Sequence, residues 1–329
     1  REHAEREGWK IVGTYKDRAQ TGANLLRPGL QSMIQDARYG EFDLILSEAL
    51  DRLSRDPADL AVLFIHCSGY STMCGHATIA LGRWALEEGL VKITEPETSF
   101  MLECPCGLVR VTTKVEDGVI GQTSFESVRG YAHSIDQQIE IEDVGAVRYD
   151  ISYGGAYYAF LPAENLGLDL DRDPLTLVRE RASALTETIR AQVKIDSPDA
   201  ADLGFLYGTI ITQKDGVSLN ECNNHLCFFA DEQLDRSPTG SGVTARLALA
   251  YAKNQVSMDQ IADFSGVSGV AFKGKVLRQV EENGASGIVT EIHGRAYYSG
   301  KATYQFEKDD PLLDGFLEPV QPSKNWGKG

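Results

Sequence analysis

Two short blocks far apart in the chain share one pattern, and that pattern constrains the fold more than any other feature. An apolar stretch and the turn Gly69-Tyr-Ser-Thr lead into Cys74-Gly75-His76, which opens a run of helical spacing to Leu90. Ile79, Leu81, Trp84, Ala85 and Leu86 supply its apolar face and Gly89 its stop. Later, the strand Asn224 to Phe229 is followed by a turn, and Thr239-Gly240-Ser241-Gly242 opens a second helix that runs to Asn254. Two equivalent strand–turn–helix units predict two pseudo-symmetric halves whose helix N-termini face one cleft.

The rest of the chain fits an α/β (α+β) protein. Strands are expected at 58–65, 99–103, 107–115, 119–127, 206–212, 224–229, 275–281, 285–292 and 296–305, and a further helix at 173–191. Residues 1–57 differ in texture. They read as strand (Trp9 to Tyr15), helix (Arg27 to Arg38, with Pro28 in its first turn) and strand (Phe42 to Leu46), a small parallel βαβ unit. We therefore expect an N-terminal fragment over 1–57, a first lobe over 58–148, a second lobe over 149–294, and a return to the first lobe plus tail over 295–329.

Charge narrows the partners. With 48 acidic against 32 basic residues, the formal net charge of -16 argues against nucleic acid but leaves room for a small anion in a local site. No apolar run reaches membrane-spanning length, and the first residues, Arg1-Glu-His-Ala-Glu-Arg-Glu, are too charged for a secretory signal. Six cysteines in 329 residues are sparse for a disulfide scaffold, so a reduced cytoplasmic protein is expected. A homodimer is compatible with the sequence. Cys104-Pro-Cys106 and Cys222-Asn-Asn-His225-Leu-Cys227 fit no common zinc spacing, and no metal is expected. Gly154-Gly155 reads as a turn and not a phosphate loop.

The two helix openings carry the chemistry. Unpaired N–H groups and partial positive charge at a helix N-terminus hold an anion. Two such ends make a carboxylate clamp from backbone alone, with Gly75 and Gly240 permitting close approach. An amino acid held this way puts its Cα between Cys74 and Thr239. A thiol at a helix N-terminus favours its thiolate, which can take the Cα proton. The clamp then stabilises charge pushed onto the carboxylate, so neither cofactor nor metal is expected. A buried, inert thiol is the plain alternative for Cys74 alone. On spacing, His76 is a candidate for contact with the thiol or the substrate amine. Asp235 is either a turn residue or a partner for a substrate ammonium.

Met73-Cys-Gly-His-Ala-Thr-Ile-Ala-Leu81 and Asp235-Arg-Ser-Pro-Thr-Gly-Ser-Gly-Val-Thr-Ala-Arg246 resemble the two signature blocks of the proline racemase family. Ser152-Tyr-Gly-Gly-Ala-Tyr-Tyr158 and Ile292-His-Gly-Arg-Ala-Tyr-Tyr-Ser-Gly300 extend the resemblance over about residues 58–318. It implies a diaminopimelate-epimerase-like fold of two lobes around a cleft. It implies that Cys74 is the first catalytic cysteine, and that Gly75, His76, Gly240 and Ser241 stand at the carboxylate-holding positions. It also puts His76 and Asp235 near the substrate ring nitrogen. The second catalytic position is Thr239, where racemases and epimerases of the family carry cysteine. A threonine hydroxyl is too weak an acid or base to replace that thiol. Thr at this position is the pattern of the family's 3-hydroxyproline dehydratases, so the resemblance implies dehydration of trans-3-hydroxy-L-proline to pyrroline-2-carboxylate. Epimerisation or racemisation, and an inactive fusion, are the alternatives.

The family's usual opening block, His-Thr-Gly-Gly-Glu-Pro, does not appear in this sequence. In its place, Gly8-Trp9, Tyr15-Lys-Asp-Arg-Ala, Arg27-Pro-Gly-Leu and Asp51-Arg-Leu-Ser-Arg55 resemble the catalytic domain of serine recombinases, or resolvases. Arg52 and Arg55 match phosphate-contacting arginines of that family. Its nucleophilic serine and DNA-binding tail have no counterpart here, so recombination is the remote reading. The expected join lies near Asp56-Pro57.

Overall fold

The computed structural model describes residues 59–310 except 67, 68, 200–202, 231, 283, 304, 306 and 308. The resolvase-like βαβ fragment expected over 1–57 and the join lie outside the described residues. Residues 297–329 form a unit of their own, whose described residues contain no helix or strand. The strand expected over 296–305 is thus not formed among the described residues. An alternating pattern becomes a strand only where its backbone groups find an edge to pair with.

Elsewhere the expected elements form. β1 (Leu60–Ala61), β2 (Phe64–His66) and β3 (Gly69–Ser71) precede α1 (Gly75–Glu87). β4 (Glu97–Cys104), β5 (Gly107–Glu116) and β6 (Val119–Glu126) follow as a meander. Then come β7 (Tyr131–Ile141), β8 (Gly145–Tyr153), β9 (Tyr157–Pro162), α2 (Leu175–Gln192), β10 (Leu206–Thr212), β11 (Asn223–Phe229) and β12 (Gln233–Leu234). α3 (Gly240–Ala252), β13 (Ala262–Ser265), β14 (Ala271–Glu282) and β15 (Ala285–Gly294) complete the fold. The single strand expected over 58–65 is split into β1 and β2, and only β1 joins the large sheet, parallel to β4.

One 13-stranded sheet runs β1-β4-β5-β6-β15-β14-β13-β11-β10-β9-β8-β7, with β12 paired to β11. Two separate cores give it two lobes. Phe100, Leu102, Val109, Val111 and Val115 point inward at alternate positions of β4 and β5 and meet Ile79 and Leu86 of α1. The second core gathers Ile151, Tyr157, Leu161 and Leu206 around Val178, Ala182, Leu185 and Ile189 of α2, which recur at helical spacing.

The lobe boundaries differ from those expected. Ile139 and Ile141 of β7 belong to the second core, so the first crossing falls before residue 131. Phe264, Phe272, Val276, Ile288 and Ile292 belong to the first core, because β15 pairs with β6 in the register Ile292↔Phe125. The chain thus begins its return to the first lobe with α3, whose Val243, Leu247, Ala248 and Ala250 already belong to that core. Pairings between strands more than a hundred residues apart leave no local mark in a sequence. α3 is buried on every face from Gly240 to Ala250. Val243 and Leu247 face the first core, and Ala245 and Leu249 face a third cluster with Tyr158 and Phe160. Among the described residues no helix is long and apolar enough to cross a membrane.

Candidate active site

The N-termini of α1 and α3 meet where the lobes join. A Cβ built on Gly75 would lie 2.4 Å from Gly240 Cα, and one on Gly240 would lie 2.7 Å from Gly75 Cα. Only two glycines let these backbones approach so closely. Neither helix has a side-chain cap or an acidic residue in its first turn. Their leading N–H groups are therefore left for an anion.

Cys74 is the N-cap of α1 in extended conformation (φ -136, ψ 98), and its carbonyl receives Thr78 N–H at 2.9 Å. Its Sγ lies 3.3 Å from His76 Nε2. On the far side of the ring, His76 Nδ1 is 3.2 Å from Ser237 Oγ and 3.4 Å from Asp235 Oδ2. Ser237 gives its own hydroxyl proton to Asp235 Oδ1 at 2.9 Å and accepts Thr239 N–H at 3.1 Å. Towards His76 it is therefore an acceptor, so Nδ1 carries a proton and Nε2 is the nitrogen turned to Cys74. Thr239 Oγ1 donates to Asp235 Oδ2 at 3.0 Å. One continuous chain, Cys74–His76–Asp235–Thr239, thus links the two helix openings.

Charge follows this chain. Burial opposes protonation of His76, but the hydrogen bonds to Asp235 and Cys74 outweigh it and push the imidazole up to about 10. Burial would raise Asp235, yet the bonds from His76 and Ser237 hold its carboxyl below the usual carboxylate range. The His76 side chain keeps 47% of its surface open while Asp235 keeps 7%, so the pair is anchored on its inner side and exposed on its outer one. Burial pushes up the thiols of Cys104, Cys106 (to about 12) and Cys227. Cys227 lies hydrogen-bonded to Thr239 but only 1% exposed, so it remains a protonated thiol inside the core.

All seven residues singled out from the sequence, Cys74, Gly75, His76, Asp235, Thr239, Gly240 and Ser241, converge here. Ser241 is 1% exposed and exchanges a 2.8 Å hydrogen bond with Tyr158 OH. Several supports were missed by the sequence reading. Ser237 ties His76, Asp235 and Thr239 together. Thr239 takes φ 60, an unusual backbone for a β-branched residue, and this strained turn aims the start of α3. Beneath it, His225 Nε2–H donates to Pro238 O at 2.6 Å while its Nδ1 accepts from Arg246 at 3.1 Å. Both ring nitrogens of the residue weighed as a zinc ligand are thus engaged. No group of three His, Cys, Asp or Glu suited to a metal ion occurs among the described residues. Gly154-Gly155 forms the β8–β9 turn, as expected. A Cβ on Gly154 would lie 2.3 Å from Ser241 O, so this turn presses directly on α3.

A half-buried thiol and an imidazole pushed towards its charged form thus stand together at two uncapped helix ends. The proline racemase family model matches residues 43–317, and the chain belongs to that family. It is 46% identical to the trans-3-hydroxy-L-proline dehydratase of Homo sapiens over 79% of this chain and 75% of that one. It is 44% identical to the trans-L-3-hydroxyproline dehydratase of Saccoglossus kowalevskii, over 80% of this chain and 81% of the relative. A hydroxyproline epimerase structure from Agrobacterium vitis superposes with a TM-score of 0.77 at 24% identity, covering 94% of this chain and 90% of that one. That likeness bears on the fold. The resolvase N-terminal domain model matches residues 1–70, which is consistent with a fusion.

Proposed function

We propose that this chain is a hydro-lyase that converts trans-3-hydroxy-L-proline to pyrroline-2-carboxylate and water. The observation that carries the reading is the pairing of one thiol with one hydroxyl at the two helix openings. Cys74 takes the Cα proton. The substrate carboxylate lies between the N–H groups of Gly75, His76, Gly240 and Ser241, which stabilise the charge that develops there. The Asp235 carboxylate serves the ring-nitrogen side, and the His76 side chain stands beside Cys74 at the reacting atoms. Because Thr239 is no thiol, a proton is not returned to the opposite face, and the carbanion expels the β-hydroxyl instead. The enamine so formed tautomerises to the cyclic imine. The step uses no cofactor, since the clamped carboxylate takes the charge. The names of the dehydratase relatives support the same substrate.

We further propose a cytoplasmic enzyme that acts on a small molecule and engages no nucleic acid, a reading supported by the sparse cysteines and the formal net charge of -16. A homodimer is the assembly to test, by sedimentation. The activity is tested by incubating the protein with trans-3-hydroxy-L-proline, reducing the products with borohydride and measuring proline by mass spectrometry. Product from this isomer, with none from 4-hydroxyproline, is expected. Epimerisation of 4-hydroxyproline without dehydration would reverse the reading.

A further inference from the structure

We propose that His76, and not Thr239, is the acid that protonates the departing hydroxyl. This rests on the dehydratase reading above and deepens it. In trans-3-hydroxy-L-proline the C3 hydroxyl and the C2 carboxylate lie on opposite faces of the ring. The Cα hydrogen also lies opposite the carboxylate. Hydrogen and hydroxyl therefore leave from one face, and the base for the first must stand beside the acid for the second.

His76 occupies that place. Its Nε2 is 3.3 Å from Cys74 Sγ, so imidazole and thiol present themselves side by side. Its Nδ1 proton is spoken for by Ser237 and Asp235, which leaves Nε2–H as the one turned to the reacting atoms. The half-open side chain gives a path for water to leave. Thr239 is placed differently. It stands at the other helix opening, is 6% exposed, and already gives its hydroxyl proton to Asp235 Oδ2.

The step balances within this pair. The Cys74 thiolate takes the Cα proton. The C–H electrons form the Cα–Cβ double bond, and the C3–O bond breaks with its electrons on oxygen. The Nε2 proton of His76 goes to that oxygen, which departs as water. Cys74 is now a thiol and His76 a neutral imidazole. The thiol proton crosses to Nε2 and restores the starting ion pair. The raised proton affinity of His76 keeps it charged and ready at neutral pH.

Leaving-group dependence tests this. Wild type, His76→Gln and Thr239→Val are compared on trans-3-hydroxy-L-proline and on the 3-chloro analogue of the same configuration, whose chloride needs no proton. His76→Gln is expected to lose about 10²–10⁴-fold on the hydroxy substrate, and at least about tenfold less on the chloro one. Thr239→Val is expected to show equal loss on both. His76→Asn carries the same comparison if His76→Gln does not fold. Equal losses in the His76 variants would overturn the proposal and leave His76 a positioning residue for Cys74. A hydroxyl-selective loss in Thr239→Val would overturn it by giving Thr239 the acid's role. In either case wild type still dehydrates hydroxyproline. A wild type that turns over no hydroxyproline sinks the dehydratase reading and this inference with it.

Discussion

Replacing Gly75 with alanine drives one methyl into the backbone of the opposite lobe. The new Cβ would sit 2.4 Å from Gly240 Cα and 2.9 Å from Gly240 N. Carbon atoms at rest lie roughly 3.5–4.0 Å apart, so the two helix ends must part by about 1 Å. The clash is with main chain, which has no rotamer to yield. Overpacking of this kind costs about 1–3 kcal/mol of stability. The effect on turnover is larger, because a displacement of about 1 Å at the reacting groups costs on the order of 10²-fold. The assay is steady-state dehydration of trans-3-hydroxy-L-proline, with thermal unfolding measured alongside. Gly121→Ala is the control, since its nearest neighbour would lie at 3.4 Å, in ordinary contact. A Gly75→Ala enzyme that keeps wild-type kcat/KM would refute the abutting-helix clamp.

Cys74→Ser should lower kcat by at least about 10²-fold while leaving the melting temperature close to wild type, because the proton-taking group is lost from a half-exposed N-cap; full activity would remove Cys74 from the mechanism. Thr239→Cys should gain inversion of L-proline to Cα-deuterated D-proline in D2O, read by chiral chromatography and NMR, and absence of inversion would contradict the two-sided geometry. Asp235 is held below its ordinary range in the fold, so its contribution to stability is present above about pH 4, its unfolded value, and fades as pH falls through the lower folded value. The melting-temperature gap between wild type and Asp235→Asn should accordingly be wide at pH 7 and close on acidification. A gap that widens in acid would reverse the sign of this coupling.

Much of the site was legible because its parts are local. Cys74-Gly-His and Thr239-Gly-Ser-Gly each announce a helix start, and chemistry at a helix start depends on the few residues that open it. The strands β4 to β6 were legible for the same reason, since Phe100, Leu102, Val109 and Val111 alternate along a meander. β7 to β9 escaped, and so did the lobe boundaries. The boundaries depend on β15 choosing β6 and on β11 choosing β13, pairings fixed only by the packed whole. β7 to β9, by contrast, form a local meander in which the end of β8 and most of β9 are buried on both faces and so show no alternation. Ser237 and Arg246 lay in plain view within a signature block. What hid them was orientation: nothing in the letters says that Ser237 turns to His76, or that Arg246 holds His225 beneath the Thr239 turn.

The central claim is that one thiol on one side of the substrate makes a dehydratase and not a racemase. Incubating wild type in D2O with trans-3-hydroxy-L-proline and, separately, with L-proline tests it most directly. The account predicts pyrroline-2-carboxylate from the first and neither D-proline nor Cα-inverted product from the second. D-proline from the second reaction, with no cyclic imine from the first, would contradict it.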